Sequence, residues 1–262
     1  MNVKTLFNTI HNDIIGPDLL AKAELVDHNA NGIQIMGDNK ITKVALGVSC
    51  NLEFLQKAVN WGAQVCIFHH GLGLGDHYIY NSKLLSSTQQ ELKFIFDHEL
   101  TIAGYHYCLD AHNEIGNNIQ IIKKLGAVDT YEPYFENWGW IGEFEVEKPL
   151  VDLAKDCSKL FKHDVFMVKG NKERIKRIGV CSGGAMPYAK DIWQEIIVKN
   201  IDAHITGVIT ESGPALAREN GFAYFAAGHY ATEVLGVKAL GEEIKKVFPE
   251  IETNFIEVWN EW

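Results

Sequence analysis

The stretch Ala63–Gly71, AQVCIFHHG, decides how the rest of the sequence is read: a near-continuous apolar run of strand length that ends on two adjacent histidines and a glycine. Strands covered on both faces of a parallel sheet read this way, whereas strands with one wet face alternate. Upstream, LEFLQKAVNWG (Leu52–Gly62) has helical periodicity and closes on Gly62 as a C-terminal stop, and Lys43–Ser49 is a further apolar strand. Downstream, an amphipathic helix over Lys83–His98 leads into TIAGYHYCLD (Thr101–Asp110), read as a strand, and then into a short helix, NNIQIIKKLG (Asn117–Gly126). This half is a run of βαβ units.

The pattern continues outward. A first helix is expected over Val3–Ile14 and a short strand over Gly32–Met36. After Gly126 comes a loop rich in Tyr, Glu, Pro and Trp, then WIGEFE with strand alternation, a helix over Leu150–Phe161, and strands over Val165–Val168 and Arg177–Cys181, which make a second lobe. The final third alternates helix (Asp191–Lys199), strand (Ala203–Gly207), helix (Pro214–Asn220), strand (Ala223–Ala227), helix (Thr232–Val247) and strand (Asn254–Val258). Alternation from end to end, with no linker or low-complexity tract, is the signature of an α/β architecture.

With 262 residues and 47% hydrophobic content, the chain is long enough to bury a sizeable core in one large domain or two small lobes. No apolar run approaches the roughly 18–20 residues that span a bilayer, and MNVKTLFNTIHNDIIG has neither a basic leader nor an unbroken apolar stretch, so the chain reads as cytoplasmic. Cys50, Cys66, Cys108, Cys157 and Cys181 are odd in number, widely spaced and mostly within apolar segments, as reduced core residues are. A net charge of −10 argues against a general nucleic-acid surface, which needs clustered Lys and Arg. A small anionic substrate is compatible with this balance if bound metal ions supply the local positive charge.

Chemistry begins at His69 and His70. In a straight strand neighbouring side chains face opposite ways, but Gly71 lets the chain turn at the carboxyl end, where open α/β sheets bind ligands. His106 and Asp110 repeat the arrangement at the end of the next strand. In AAGHYATEVLGVKAL (Ala226–Leu240), His229 follows a strand and Glu233 falls in the first turn of a helix, where the dipole favours a carboxylate. Taken singly, each has an ordinary structural reading as a turn cap or a helix-surface pair. Together they offer imidazole nitrogen and carboxylate oxygen without thiolate, a set that suits zinc, manganese, iron or nickel. Five or six such ligands exceed one tetrahedral site, so two ions are expected, about 3.5–4 Å apart, with Glu233 placed ahead of Asp110 as the bridging carboxylate.

On IFHHG, YHYCLDAHNEIGNN and AAGHYATEVLGVKAL, supported by NGIQIMG, CSGGA and ITGVITE, the sequence resembles the NIF-three-like dinuclear metal-centre family, whose bacterial members are usually named GTP cyclohydrolase 1 type 2 homologues. The likeness runs nearly end to end. It implies a two-lobed α/β fold with mixed or parallel sheets flanked by helices, a dinuclear site in the cleft between lobes, and a toroidal homohexamer. The lobes expected are 1–128 with 229–262, carrying the metal ligands, and 129–228. The family pattern gives ligand roles to the positions of His69, His70, Asp110, His229 and Glu233 and makes His106 a nearby site residue. Where similar sequences often carry an acidic residue after Thr206-Gly207, this chain has Val208, although Glu211 is kept.

Several further motifs have two readings. Ser182-Gly183-Gly184, ahead of Met186-Pro187, is either a phosphate cradle of backbone amides or a plain turn, and it lacks the glycine spacing and lysine of known nucleotide loops. Cys181 has no base paired with it in sequence, and His112 is either a support for a ligand or part of a turn. His11, His28, His77, His98, His163 and His204 have no partner spacing, and KGNKERIKR (Lys169–Arg177), the densest basic run, reads as a solvated loop or an attractor of anions. The expected function is a metal-dependent hydrolase acting on a nucleotide, with His106 or Glu211 as general base. The alternative is a non-catalytic metal-binding oligomeric regulator or metal chaperone.

Overall fold

Asn51 opens a helix with its side chain, accepting the amide of Phe54 at 2.9 Å, and Gly62 closes it in the left-handed region at φ +90°, so α3 (Leu52–Trp61) starts and stops where its sequence says. The face it buries, Phe54, Leu55 and Ala58, packs on a sheet whose central strands are as apolar as expected. This structure is a computed structural model that describes residues 1–37, 40–73, 79–80, 83–186 and 190–260; His77 and Pro187 lie outside the described residues.

The chain divides into two units, the first comprising Met1–Leu109 and Val237–Trp259 and the second Asp110–Gly236. In the first, α1 (Val3–Thr9) passes into a π-helical turn, Ile10–Ile15, and then α2 (Pro17–Glu24). The wider turn buries both Ile10 and Ile15, five positions apart, and Gly16 at φ +91° ends it ahead of Pro17. The strands are β1 (Asn31–Ile35), β2 (Lys43–Ser49), β3 (Val65–Gly71), the short pair β4 (Ile79–Tyr80) and β5 (Lys83–Leu84), and β6 (Thr101–Tyr105), with α4 (Ser86–Asp97) before β6. β1, β2, β3 and β6 form a five-stranded sheet with β13 (Glu252–Phe255) in the order β1-β6-β3-β2-β13, parallel except for β1, while β4 and β5 pair only with each other. Ala45, Phe54, Leu55, Cys66, Phe68 and Ile102 are among its core.

The segment after β6 corrects one expectation. The sequence predicts one strand over Thr101–Asp110, but the strand stops at Tyr105 and Tyr107–Ala111 forms a short helix, α5. α6 (Asn117–Lys124) follows. The Tyr- and Pro-rich segment read as a loop is a strand, β7 (Val128–Tyr134), irregular between Asp129 and Pro133 where Tyr131 adopts φ +55°. It pairs with β8 (Gly139–Pro149), and α7 (Leu150–Phe161), β9 (Phe166–Val168), β10 (Arg174–Val180), α8 (Lys190–Val198), β11 (Ala203–Thr206), α9 (Gly213–Asn220) and β12 (Ala223–Ala226) complete the second unit's frame. Its sheet runs β7-β8-β10-β11-β12-β9, parallel only in the middle, so it is mixed. α10 (His229–Thr232) and α11 (Val234–Val247) end the run, with Glu233 at their junction rather than inside one continuous helix. The basic run Lys169–Arg177 is half strand, since β10 begins at Arg174.

All five cysteines are free, four of them buried, as reduced core residues would be. Among the described residues no helix is long and apolar enough to cross a membrane.

His204 on β11 is fully buried and satisfied on both nitrogens: Nδ1 accepts from the Tyr134 hydroxyl at 2.8 Å and Nε2 donates to the Ala185 carbonyl at 3.2 Å. Burial pushes its pKa down to about 4, with the carbonyl bond opposing only in part. The folded chain therefore holds His204 neutral over a range in which the unfolded chain protonates it. Stability from this residue is complete above the ordinary value of 6.5 and is lost as pH falls towards about 4, at up to about 1.4 kcal/mol per pH unit. The urea midpoint is expected to drop through this window in the unaltered chain and to drop less steeply in His204→Asn; parallel curves would refute the account.

Candidate metal centre

In the first unit, sheet register rather than a simple turn brings the histidines together. Phe68 lies opposite Gly47 and Gly71 opposite Ser49, so β3 advances three residues while β2 advances two. This bulge at His69 and His70 breaks the alternation that would send them to opposite faces, and their rings stand 5.1 Å apart. Gly71 then takes φ +68°, and a Cβ on it would sit 2.4 Å from Gln34 Oε1. Gln34 in turn grips Leu72 through both its backbone groups at 2.7 Å, holding the chain just beyond the pair.

His106 follows β6, 4.8 Å from the His69 ring and 5.5 Å from that of His70. Each of the three rings is held through Nδ1. His69 Nδ1 donates to the Tyr105 carbonyl at 3.0 Å, His70 Nδ1 meets Ser49 Oγ at 3.0 Å, and His106 Nδ1 donates to Asp27 at 2.9 Å. No local motif in the sequence marks Asp27. Its side chain is only 2% exposed. Burial alone would raise its pKa, but the His106 hydrogen bond and charge, with the donors of Asn31 and Asn29, outweigh it and hold the carboxyl at about 2.

Each of these three histidines offers a ligand nitrogen, and those atoms lie within 4.8 Å of one another. Metal-ligating imidazoles are oriented in this way, with one nitrogen tied to an oxygen and the other left for the ion. The three residues could hold a metal ion, and a borderline divalent cation fits their nitrogen donors.

In the second unit, Glu233 is 2% exposed and its Oε1 lies 3.1 Å from His229 Nε2. Gly228 at φ +88° delivers His229 from the end of β12 into α10. Asp110, buried in α5, accepts from Ser182 Oγ at 2.7 Å and Asn117 Nδ2 at 2.9 Å. Ser182-Gly183 runs between these groups: a Cβ on Gly183 would stand 2.1 Å from Glu233 Oε1 and 3.3 Å from His229 Nε2. The cradle reading of this motif is not supported, because the Ser182 amide donates to Asn118 Oδ1 at 2.7 Å and that of Gly183 to Thr232 Oγ1 at 2.9 Å. The motif makes room for a carboxylate instead.

His112 and Cys181 have structural explanations. His112 Nδ1 accepts the amides of Glu114 and Ile115 at 3.1 and 3.3 Å, so it caps a turn. Burial, reinforced by Asp110, pushes the Cys181 thiol well above its ordinary value, which keeps it protonated and a poor nucleophile. Val208 offers its carbonyl to the Tyr224 hydroxyl at 2.9 Å, and Glu211 is exposed in the turn ahead of α9.

The profile of the Duf34/NIF3 (NGG1p interacting factor 3) family matches residues 1–261. Among curated proteins, one of Pseudomonas aeruginosa is 31% identical over 92% of this chain and 93% of its own, and one of Pyrococcus horikoshii is 34% identical over 88% and 90%. Both carry the name GTP cyclohydrolase 1 type 2 homolog. A solved structure described as protein ybgI, of unknown function, superposes with a TM-score of 0.85 at 28% identity, covering 99% of each chain.

Proposed function

The chain belongs to the Duf34/NIF3 family, and on that premise we propose that it is a dinuclear divalent-metal protein that hydrolyses a small anionic substrate, a nucleotide being the first choice. His69, His70, Asp110, His229 and Glu233 are the proposed ligands of two ions, zinc, iron, manganese or nickel. The observation that carries this reading is the common orientation of the three imidazoles, each engaged through Nδ1 and grouped at the carboxyl ends of neighbouring strands. A structural histidine needs no such convergence.

When bound, such ions supply Lewis acidity towards water and towards a phosphorus or ring-carbon centre. The chain's own residues do the rest. Asn117 and Ser182 hold the Asp110 carboxylate in place, and Gly183 leaves the volume that Glu233 occupies. His106, through Nε2, and the exposed Glu211 are put forward for proton transfer. Ring opening of GTP is suggested by the name the relatives bear, and phosphoester hydrolysis would use the same groups. The homohexamer and the cytoplasmic location belong to the same proposal.

Metal-replete protein is expected to carry about two divalent ions per chain by elemental analysis and to consume GTP or bis(p-nitrophenyl) phosphate, followed by chromatography and by absorbance. Less than half an ion per chain would overturn the metal reading. A full complement with no turnover of either probe would favour the second reading, a metal-binding regulator or chaperone.

A further inference from the structure

We infer that Asp27 is a positioning residue of the metal centre, and that by accepting the Nδ1 proton of His106 it makes His106 a third imidazole donor beside His69 and His70. The inference rests on the metal-binding reading above and changes one part of it, moving His106 from proton transfer into the ligand set.

The argument starts from what a carboxylate can do. An ionised Asp only accepts, so a nitrogen 2.9 and 3.0 Å from its two oxygens must carry the proton. When the ring carries a single proton, that proton is on Nδ1 and the lone pair is on Nε2. The same logic applies to His69, whose Nδ1 faces a carbonyl.

Asp27 is itself immobilised. The Asn29 amide donates to Oδ1 at 2.9 Å, and the Tyr107 amide and Asn31 Nδ2 donate to Oδ2 at 3.0 Å each. Asn31 also accepts the His106 amide at 3.1 Å, so Asn31 holds the backbone of His106 while Asp27, to which Asn31 donates, holds its ring. Tyr107 stacks on the ring at 4.7 Å. A residue needed only to pin the start of α5 would require the Tyr107 amide bond but not the imidazole bond. Nearly full burial of a carboxylate is costly unless its partners are strong, and here the imidazole is one of them.

The test is a Co²⁺ titration of the metal-free full chain, followed in the visible absorption band, for the unaltered protein, Asp27→Asn, His106→Ala and the double variant. Asp27→Asn presents an amide that can donate to Nδ1 and so favour the wrong tautomer. It is expected to weaken Co²⁺ binding about 10- to 100-fold and to shift the band, as loss of an outer partner of a ligating histidine does. His106→Ala is expected to weaken binding at least as much, and adding Asp27→Asn to it should change little, because Asp27 acts through that ring. Unchanged affinity in Asp27→Asn, or an undiminished further loss in the His106→Ala background, would overturn the inference while leaving the metal site standing. Failure of the unaltered chain to bind Co²⁺ would overturn both. Should Asp27→Asn not fold, His106→Gln decides: full Co²⁺ affinity there removes His106 from the donors.

Discussion

Glu233→Ala protein is expected to retain less than one divalent ion per chain, against about two for the unaltered chain, while folding normally. Glu233 sits at the junction of α10 and α11 with its carboxylate almost wholly buried beside His229. Burying a carboxylate costs free energy that its partners have to offset, and a bound cation would be a strong one. Removing the side chain takes away a donor and relieves that burden together. The metal-free variant is therefore expected to unfold in urea at no lower concentration than the metal-free parent, since His229, 35% exposed, can turn to water. Elemental analysis and the two urea curves decide it. Metal content equal to the parent's would strike Glu233 from the ligands, and a large loss of apo stability would make its role structural.

The second large effect comes from a residue with no side chain. Gly183→Ala is expected to lose metal as Glu233→Ala does, although every donor remains. The added Cβ would occupy the place of Glu233 Oε1, 2.1 Å away, and the backbone there is left-handed at φ +64°. Displacing the carboxylate and straining the turn should cost about 1–3 kcal/mol of stability. Gly184→Ala is the matched control: its Cβ would meet only His229 Cε1 at 3.6 Å, ordinary contact, so metal content and stability should stay within about 0.5 kcal/mol of the parent. Should Gly183→Ala keep its full metal complement, the placement of Glu233 would not matter to binding.

Much of this protein was legible from residue order alone. The apolar run of β3, the capped helix α3 with its closing Gly62, and α7 over Leu150–Phe161 follow from local periodicity and local capping, which a chain carries in its neighbours. So does the candidacy of His69, His70, Asp110, His229 and Glu233, because adjacent or four-residue spacing at strand ends survives without knowing the sheet. The residues missed were those whose partners are remote. Asp27 lies 79 positions from His106, and Ser49 lies 21 from His70.

Only sheet register decides those meetings. Antiparallel pairing of β1 with β6 sets Asn31 opposite Tyr105 and so brings the Asp27 turn to His106, while parallel pairing of β2 with β3 sets Ser49 beside Gly71. The bulge that turns His69 and His70 together is likewise a property of two strands, since one extra residue is extra only relative to its neighbour. The end of β6 at Tyr105 is hidden for the same reason: the amide of Tyr107 is taken by Asp27, not by a strand, and nothing within Thr101–Asp110 announces it. Candidate donor types can be read from order along the chain; the orientation of each candidate is a product of which strands lie side by side.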